Sequence, residues 1–373
     1  MPQKTKTWFE RTLALADIRL DGARPWDIAL HDPSVQDRIL AEGSLGFGDA
    51  YVEGLWDCQD LDEMFNHLLS AGLDHKVRPN LALLTYVAKA KILNLQTRHR
   101  SLEVASIHYN LGNDFYEAML DPWMQYTCGY FSSGAQDLNA AQEAKLDMIC
   151  RKIDLKEGDE VLELGCGWGG FARFAASRYG AHVTAYNIST EQVDLARARC
   201  QGLPVDIRLS DYRDAQGQYD KVVSVGMCEH VGPKNYRSMM KLVHSCLKPH
   251  GVFLLHTIGG NHEVDDSDLW LDKHIFPGAV LPSPVGLARA FADLFVLEDW
   301  HNFGVDYDKT LMAWDANFRS AWPRFQEQYG DRFYRMWHYY LMVSAGSFRS
   351  RKNQLWQLVL SKDGVRGGWK TVR

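Results

Sequence analysis

No apolar run in the chain approaches the roughly 18 residues that a membrane-crossing helix needs, and no C-x-x-C pair occurs among its seven cysteines. The first absence excludes an integral membrane protein of the helical kind. The second, with an odd cysteine number and scattered positions, excludes both a disulfide frame and a zinc site, so reduced thiols are expected. There is no internal repeat and no low-complexity tract. The opening "MPQKTKTWFERTLALAD" lacks a small-residue cleavage site and mixes charge into its short apolar piece, which argues against a secretory signal and for a cytoplasmic location. One further absence is local. Between His75 and Leu102 no acidic residue occurs, although six basic ones do (Lys76, Arg78, Lys89, Lys91, Arg98, Arg100).

With 373 residues, 46% hydrophobic and 24% charged, the chain has the make-up of a globular protein with room for two domains. A net charge of −6 discourages binding to nucleic acid. The acid-free stretch carries Leu81, Leu84, Val87, Ala88, Ile92 and Leu95 at helical spacing. It reads as a basic amphipathic helix, either packed on its own domain or lying on a membrane surface.

Residues 1–100 read as a small helical domain. From about Leu138 the pattern alternates helices with short apolar strands: "VLELG", "HVTAYNI", "VDIRL", "KVVSVGM" and "GVFLLHTI". That alternation predicts an α/β doubly wound, mostly parallel sheet over 101–373, with helices on both faces. An insertion follows at about 260–291, then "LFVLEDWHNFG", two aromatic-rich helices and a last strand, "LWQLVLS".

The turn "ELGCGWGG", Glu163 to Gly170, fits the dinucleotide spacing G-x-G-x-x-G and also the G-x-G-x-G of S-adenosylmethionine enzymes. A dinucleotide site places an acid about 20 residues on, to hold a ribose; here Asn187 stands in that place. Glu163, just before the glycines, suits the cationic amino group of a methionine moiety and would repel a pyrophosphate. Asp211, after the third strand, suits an adenine amino group. Taken singly, Glu163 is also explained as a strand-end ion-pair partner and Asp211 as a helix cap in "SDYRD".

Ligand crevices in such sheets lie beyond the carboxyl ends of the strands. Glu229 and His230 close the fourth strand, His256 the fifth, and Tyr307 follows the sixth, so these groups are expected to converge. Singly, His256 and Tyr307 are equally well core residues with satisfied polar atoms, and the aromatics Tyr126, Tyr130, Phe131 and Trp300 plain packing.

Along nearly its full length the chain resembles the cyclopropane fatty acid synthases. The resemblance is carried by "EGSLGFGDAYVEGLW", "HYNLGNDFYEAMLDP", "MQYTCGYF", "VLELGCGWGG", "SVGMCEHVGPKNY", "LLHTIG", "EDWHNFGVDYDKTLMAW" and "QLWQLVLS", in that order. It implies the seven-stranded methyltransferase fold and transfer of a methylene unit from S-adenosylmethionine to the cis double bond of an unsaturated acyl chain in a membrane phospholipid. It further implies a bound bicarbonate as base, on Cys128, Glu229, His256, the backbone of Ile258, and Tyr307. Glu229 is expected to be ionised there, with Cys128, His256 and Tyr307 donating to the anion. Cofactor contacts are implied at Tyr126, Thr127, the turn Glu163, Leu164, Gly165, Cys166, Gly167, Trp168 and Gly169, then Asn187, Gln192, Asp211 and Tyr212. A homodimer working peripherally at the inner face of the membrane is implied as well. Relatives can carry a cysteine in the segment resembling "VSAGSFRSR"; this chain has Ser344, read as structural. The rival readings are a nicotinamide oxidoreductase on the same glycine turn and a non-catalytic lipid binder that kept the fold.

Overall fold

The computed structural model describes residues 3–73, 111–265 and 267–373. The basic segment 75–102 lies outside the described residues. The chain divides into two compact units, one of Met1–Leu93, Asp265–Pro277 and Tyr307–Asn353, the other of Asn94–Val264, Gly278–Asp306 and Gln354–Arg373.

The first unit is mainly helical in its described residues and is assembled from three stretches of sequence. Helices Gln3–Ala14, Ser34–Glu42, Ser44–Val52 and Leu61–Ser70 come first, with a two-residue antiparallel pairing of β1 (Ala29–Leu30) and β2 (Trp56–Asp57). Later helices Leu269–His274, Val305–Ala321 (from Tyr307 on) and Gln326–Arg349 complete it. In Leu269–His274, Trp270 lies so close to Gly48 that a Cβ there would come within 2.4 Å of the indole. In Gln326–Arg349, Gly346 sits where a Cβ would be 2.6 Å from that of Phe65. Asp49, inside the "EGSLGFGDAYVEGLW" motif, is held by Lys273 at 2.9 Å and His274 at 2.7 Å. Gly46, Gly48 and Asp49 of the motif thus serve close helix packing.

The second unit holds a seven-stranded sheet in the order β5-β4-β3-β6-β7-β9-β8, with β3 at Glu160–Leu164, β4 at His182–Asn187, β5 at Val205–Leu209, β6 at Tyr219–Val225, β7 at Leu247–Gly260, β8 at Val296–Asn302 and β9 at Asn353–Ser361. β3 to β7 pair in parallel, whereas β8 and β9 are antiparallel to each other. Side chains alternate across the pleat: Val222, Phe253 and Leu255 enter one apolar cluster with Met239, Met240 and Leu287, while Val223 and Leu254 enter another with Leu146, Ile149, Phe171 and Ala172. Two cores on opposite faces explain why these strands read as continuous apolar runs. Asp137 caps helix Leu138–Lys152 by accepting from Ala140 N–H at 2.8 Å, and Ser189 and Ser283 likewise cap Thr190–Arg199 and Pro284–Phe291.

The strand order reverses between β3 and its neighbours β4 and β6, which opens a crevice at their carboxyl ends. All seven cysteines are free thiols, and no described helix is long and apolar enough to cross a membrane.

Candidate active site

Three segments converge at that crevice, and glycines permit the approach. Gly165 has φ +79°, and a Cβ on it would lie 3.0 Å from Met227, just after β6. Gly226, at φ +67°, would drive a Cβ to 2.6 Å from the Thr127 methyl group. The stretch Gln125–Cys128, the glycine turn and the Gly226–Glu229 turn are therefore in contact. At Gly167 (φ +53°) nothing lies within 4 Å of where a Cβ would be, so the turn's backbone is open on that side.

Glu163, on β3, is buried, and among the described residues its Oε2 has no hydrogen-bond partner. Burial pushes its carboxyl up to about 8, against a backbone hydrogen bond from Ala172 and the charge of Lys145. The indole of Trp168 donates to Asn113 Oδ1 at 2.7 Å, and Tyr116 lies against both Trp168 and Tyr126. Asn187 ends β4 and donates to the Gly167 carbonyl at 3.0 Å and to Gln192 Oε1 at 2.9 Å. It braces the turn, which accounts for an amide where a dinucleotide site has an acid. Asp211 accepts from Arg213 N–H at 2.9 Å and from the Arg213 guanidinium at 2.9 Å, so it caps the short helix Tyr212–Asp214. The capping role foreseen in "SDYRD" is present.

On the other side of β3, Glu229 lies in the short helix Cys228–Val231 rather than on the strand itself. Its Oε1 accepts from the Ile258 N–H at 2.6 Å, and the Ile258 carbonyl accepts from Thr257 Oγ1 at 2.9 Å. Ile258 thus orients Glu229 through its backbone. Glu229 Oε2 is buried with no partner among the described residues. Burial pushes this carboxyl up to about 7, so at neutral pH both of its protonation states are populated. His256, on β7, is fully buried, and its carbonyl accepts from Gly226 N–H at 2.9 Å. Burial, with the charges of Lys145, Lys152 and His301 adding to it, pushes His256 well below the usual histidine range. The imidazole is neutral. As the Gln357 amide is oriented, its nitrogen donates to His256 Nδ1 at 3.2 Å, which leaves the proton on Nε2, an atom without a partner among the described residues. Burial lowers neighbouring His230 to about 4. Cys128 is fully buried, its thiol 3.1 Å from the Gly129 carbonyl.

Tyr307 belongs to the first unit, where its ring lies 4.5 Å from Phe348 and 6.0 Å from Trp314. Ser344 is part of the same unit's long helix, and its carbonyl accepts from Ser347 Oγ. Of the aromatics, Trp300 packs edge-on against Trp356, and Tyr130 meets His301 and Phe303.

Sequence reasoning missed Lys145, Lys152 and Gln357. Lys145 Nζ donates to Thr127 Oγ1 at 2.8 Å and to Gln125 Oε1. Lys152 Nζ lies 3.0 Å from His301 Nδ1 and 3.6 Å from Asp299. The available signal was the helical stripe Leu138, Ala141, Gln142, Lys145, Ile149 and Lys152, all buried, in which two lysines occupy apolar positions.

The strand order, the glycine turn after β3 and the acids beyond it define an S-adenosylmethionine-dependent methyltransferase fold. The structure of the mycolic acid cyclopropane synthase CmaA1 bound to SAH and CTAB superposes on it with a TM-score of 0.66, at 28% identity, covering 70% of this chain and 98% of that one. The chain belongs to the family described as mycolic acid cyclopropane synthetase, which matches residues 96–358. It is 48% identical over 361 residues to the cyclopropane-fatty-acyl-phospholipid synthase of Escherichia coli (strain K12), covering 97% of this chain and 94% of that protein. It is also 30% identical, over 97% of its length and 90% of the relative, to the tuberculostearic acid methyltransferase UfaA1 of Mycobacterium tuberculosis.

Proposed function

We propose that this protein transfers a methylene unit from S-adenosylmethionine to the cis double bond of an unsaturated acyl chain in a membrane phospholipid, closing a cyclopropane ring, with a bound bicarbonate as base. The observation that carries the reading is the pair of buried atoms Glu229 Oε2, on the turn after β6, and His256 Nε2, on β7, both without a partner among the described residues, beside a glycine turn that is preceded on β3 by Glu163, whose Oε2 is likewise without one. Buried polar atoms are rarely left unpaired in a protein without a ligand to meet them. The near-full-length likeness to a phospholipid cyclopropane synthase supplies the substrate class.

S-adenosylmethionine supplies an electrophilic methyl group on a sulfonium. Glu163 suits its α-ammonium group, and the open backbone at Gly167 suits close approach of the rest. An alkene is a weak nucleophile, so attack leaves a carbocation on the lipid, and loss of a proton from the added methyl closes the ring. The pocket suits a bicarbonate for that proton. His256 offers a neutral N–H. Glu229 accepts the anion's O–H when ionised and donates to it when protonated, so the carboxyl and the anion need not repel. Cys128 is the remaining proposed donor, and Ile258 acts by holding Glu229.

The test is incubation of purified enzyme with S-adenosylmethionine and vesicles of unsaturated phospholipid, followed by acyl-chain analysis. A gain of one methylene as a ring is expected; unchanged chains, or mainly methyl-branched ones, would overturn the reading. We further propose peripheral binding at the inner membrane face through the amino-terminal region 1–100, including its basic segment. Vesicle sedimentation should then strengthen with anionic lipid and weaken with salt. A homodimer is proposed too, and light scattering at low micromolar concentration tests it.

A further inference from the structure

On one face of the sheet, Val252 and Leu254 of β7 and Val359 of β9 pack against Leu146 and Ile149 of helix Leu138–Lys152. Side chains two residues apart share a face of a strand, so His256 follows Leu254 into this apolar face and Gln357 precedes Val359 on it. β9 lies between β7 and β8, and Gln357 stands opposite His301 in the register of β8 with β9. His256, Gln357 and His301 therefore form a polar row across three strands. Gln357 is fully buried; its Nε2 lies 3.2 Å from His256 Nδ1, and its Oε1 has no partner among the described residues. A buried amide left half-satisfied costs stability, whereas an apolar side chain of the same shape would not. The hydrogen bond that the amide does make goes to the histidine of the candidate anion site.

We propose that Gln357 is a positioning residue of this enzyme: its amide N–H, donated to His256 Nδ1, holds the imidazole in the tautomer with the proton on Nε2 and so presents a donor to the anion. The proposal rests on the bicarbonate reading above. A neutral imidazole has one donor and one acceptor nitrogen. With Nδ1 engaged as acceptor, Nε2 carries the proton; with the proton on Nδ1 instead, Nε2 would turn a lone pair towards the anion and repel it. The tautomer thus decides whether His256 attracts the anion or excludes it. Phe303, whose ring meets that of His256 edge-on at 5.8 Å, and the Gly226 N–H on the His256 carbonyl fix the ring and its backbone, which leaves the tautomer to the amide. Glu229 completes the arrangement. Its Oε1 is held by the N–H of Ile258, two residues beyond His256 on β7, so its second oxygen can serve the O–H of the anion while His256 serves another oxygen.

The experiment is nuclear magnetic resonance of the ligand-free, full-length enzyme isotopically labelled in histidine nitrogen, in which long-range proton–nitrogen correlations tell a protonated ring nitrogen from a bare one. His256→Asn identifies the signals that belong to His256. The unmodified enzyme should show the proton on Nε2 and a bare Nδ1. In Gln357→Met, close in size and unable to donate, the form protonated on Nδ1 should gain population. Turnover on phospholipid vesicles should fall about tenfold to a hundredfold, as for a weakened donor in an oxyanion site, with affinity for S-adenosylmethionine unchanged. A bare Nε2 in the unmodified enzyme overturns the proposal. So does a fall in turnover with the tautomer unmoved, which would make Gln357 a packing residue, and so does turnover that ignores the substitution. If Gln357→Met does not fold, Gln357→Asn, whose amide is drawn back by one methylene, takes its place with the same expected and overturning results. Full turnover in carbonate-depleted buffer would overturn the bicarbonate reading and this inference with it, whereas bicarbonate-dependent turnover with a tautomer indifferent to Gln357 sinks the inference alone.

Discussion

At the carboxyl ends of β4 and β5, Asn187 and Asp211 commit their hydrogen bonds to the protein itself, to Gly167, Gln192 and Arg213. At the ends of β6 and β7, Glu229 and His256 are each held by one atom and keep a second that is buried and partnerless among the described residues. The first arrangement is a scaffold that exists before any ligand arrives, with Glu163 as its single open valence. The second is complete only with something polar between its members. A methyl donor is a large ligand that finds much of its affinity in a preformed surface, whereas a small anion must be defined by the groups that touch it. The crevice is therefore rigid on one side of β3 and demanding on the other.

The sharpest way to break this contrast is Glu229→Gln. Turnover on phospholipid vesicles should fall on the order of a hundredfold or more, as for loss of a polar group from an oxyanion site, while calorimetric affinity for S-adenosylmethionine stays unchanged. Equal loss of both would erase the distinction between the two sides. Glu163→Gln should do the reverse, weakening cofactor binding about tenfold to a hundredfold through loss of a charge-assisted hydrogen bond. An affinity that does not change would remove Glu163 from the site.

Stability supplies a third test, with a sign fixed by burial. Glu229 and Glu163 both sit above the ordinary glutamate value of 4.5, at about 7 and about 8. The folded chain thus holds protons that the unfolded chain releases, and stability falls as pH rises from 4.5 through those values. In ligand-free enzyme, each glutamine variant should raise the unfolding midpoint above pH 8, by an amount worth up to about 3 kcal/mol for Glu229→Gln and up to about 5 kcal/mol for Glu163→Gln, and should leave it nearly unchanged near about pH 4, where the glutamates of both states are mostly protonated. Denaturation curves at the two pH values measure this, and a variant that gains nothing at high pH would mean that its carboxylate is already compensated. The smallest effect is expected for Asn187→Ala, which removes the brace on Gly167 and should cost about 1 kcal/mol with only a few-fold loss of cofactor affinity. A large loss of affinity there would make Asn187 a ligand rather than a brace.

Much of the second unit is legible in the sequence because its signals are local. "VLELG" and "KVVSVGM" are apolar runs bounded by glycine, and both become strands buried on two faces. "SDYRD" announces the cap at Asp211. Lys145 and Lys152 escape such a reading because lysine normally marks the solvated face of a helix; only their place in a buried stripe betrays them. Ile258 is expected as a backbone ligand, but that its N–H is directed at Glu229 depends on how a four-residue helix after β6 meets β7, which no pattern encodes. The make-up of the first unit is equally hidden. Trp270 and Tyr339, whose rings lie 4.4 Å apart, carry no sequence mark of that pairing or of the packing of Trp270 against Gly48.

That three-part assembly sets a schedule for synthesis. When the ribosome has made the helices up to Ser70, the residues that bury their apolar faces, Trp270, Tyr339 and Gly346 among them, have not been translated. Elongation at about 5 to 20 residues per second delays the last of them by roughly a quarter of a minute to a minute. The parallel strands β3 to β7 can pair in that interval, although β9, which lies between β7 and β8, follows only after Gly346, while the leading helices wait with Phe65 and Tyr51 unburied. A nascent chain of this kind is most exposed to chaperones and proteases at its oldest end, and an early stop before Gly346 would leave that end without the helix on which it closes.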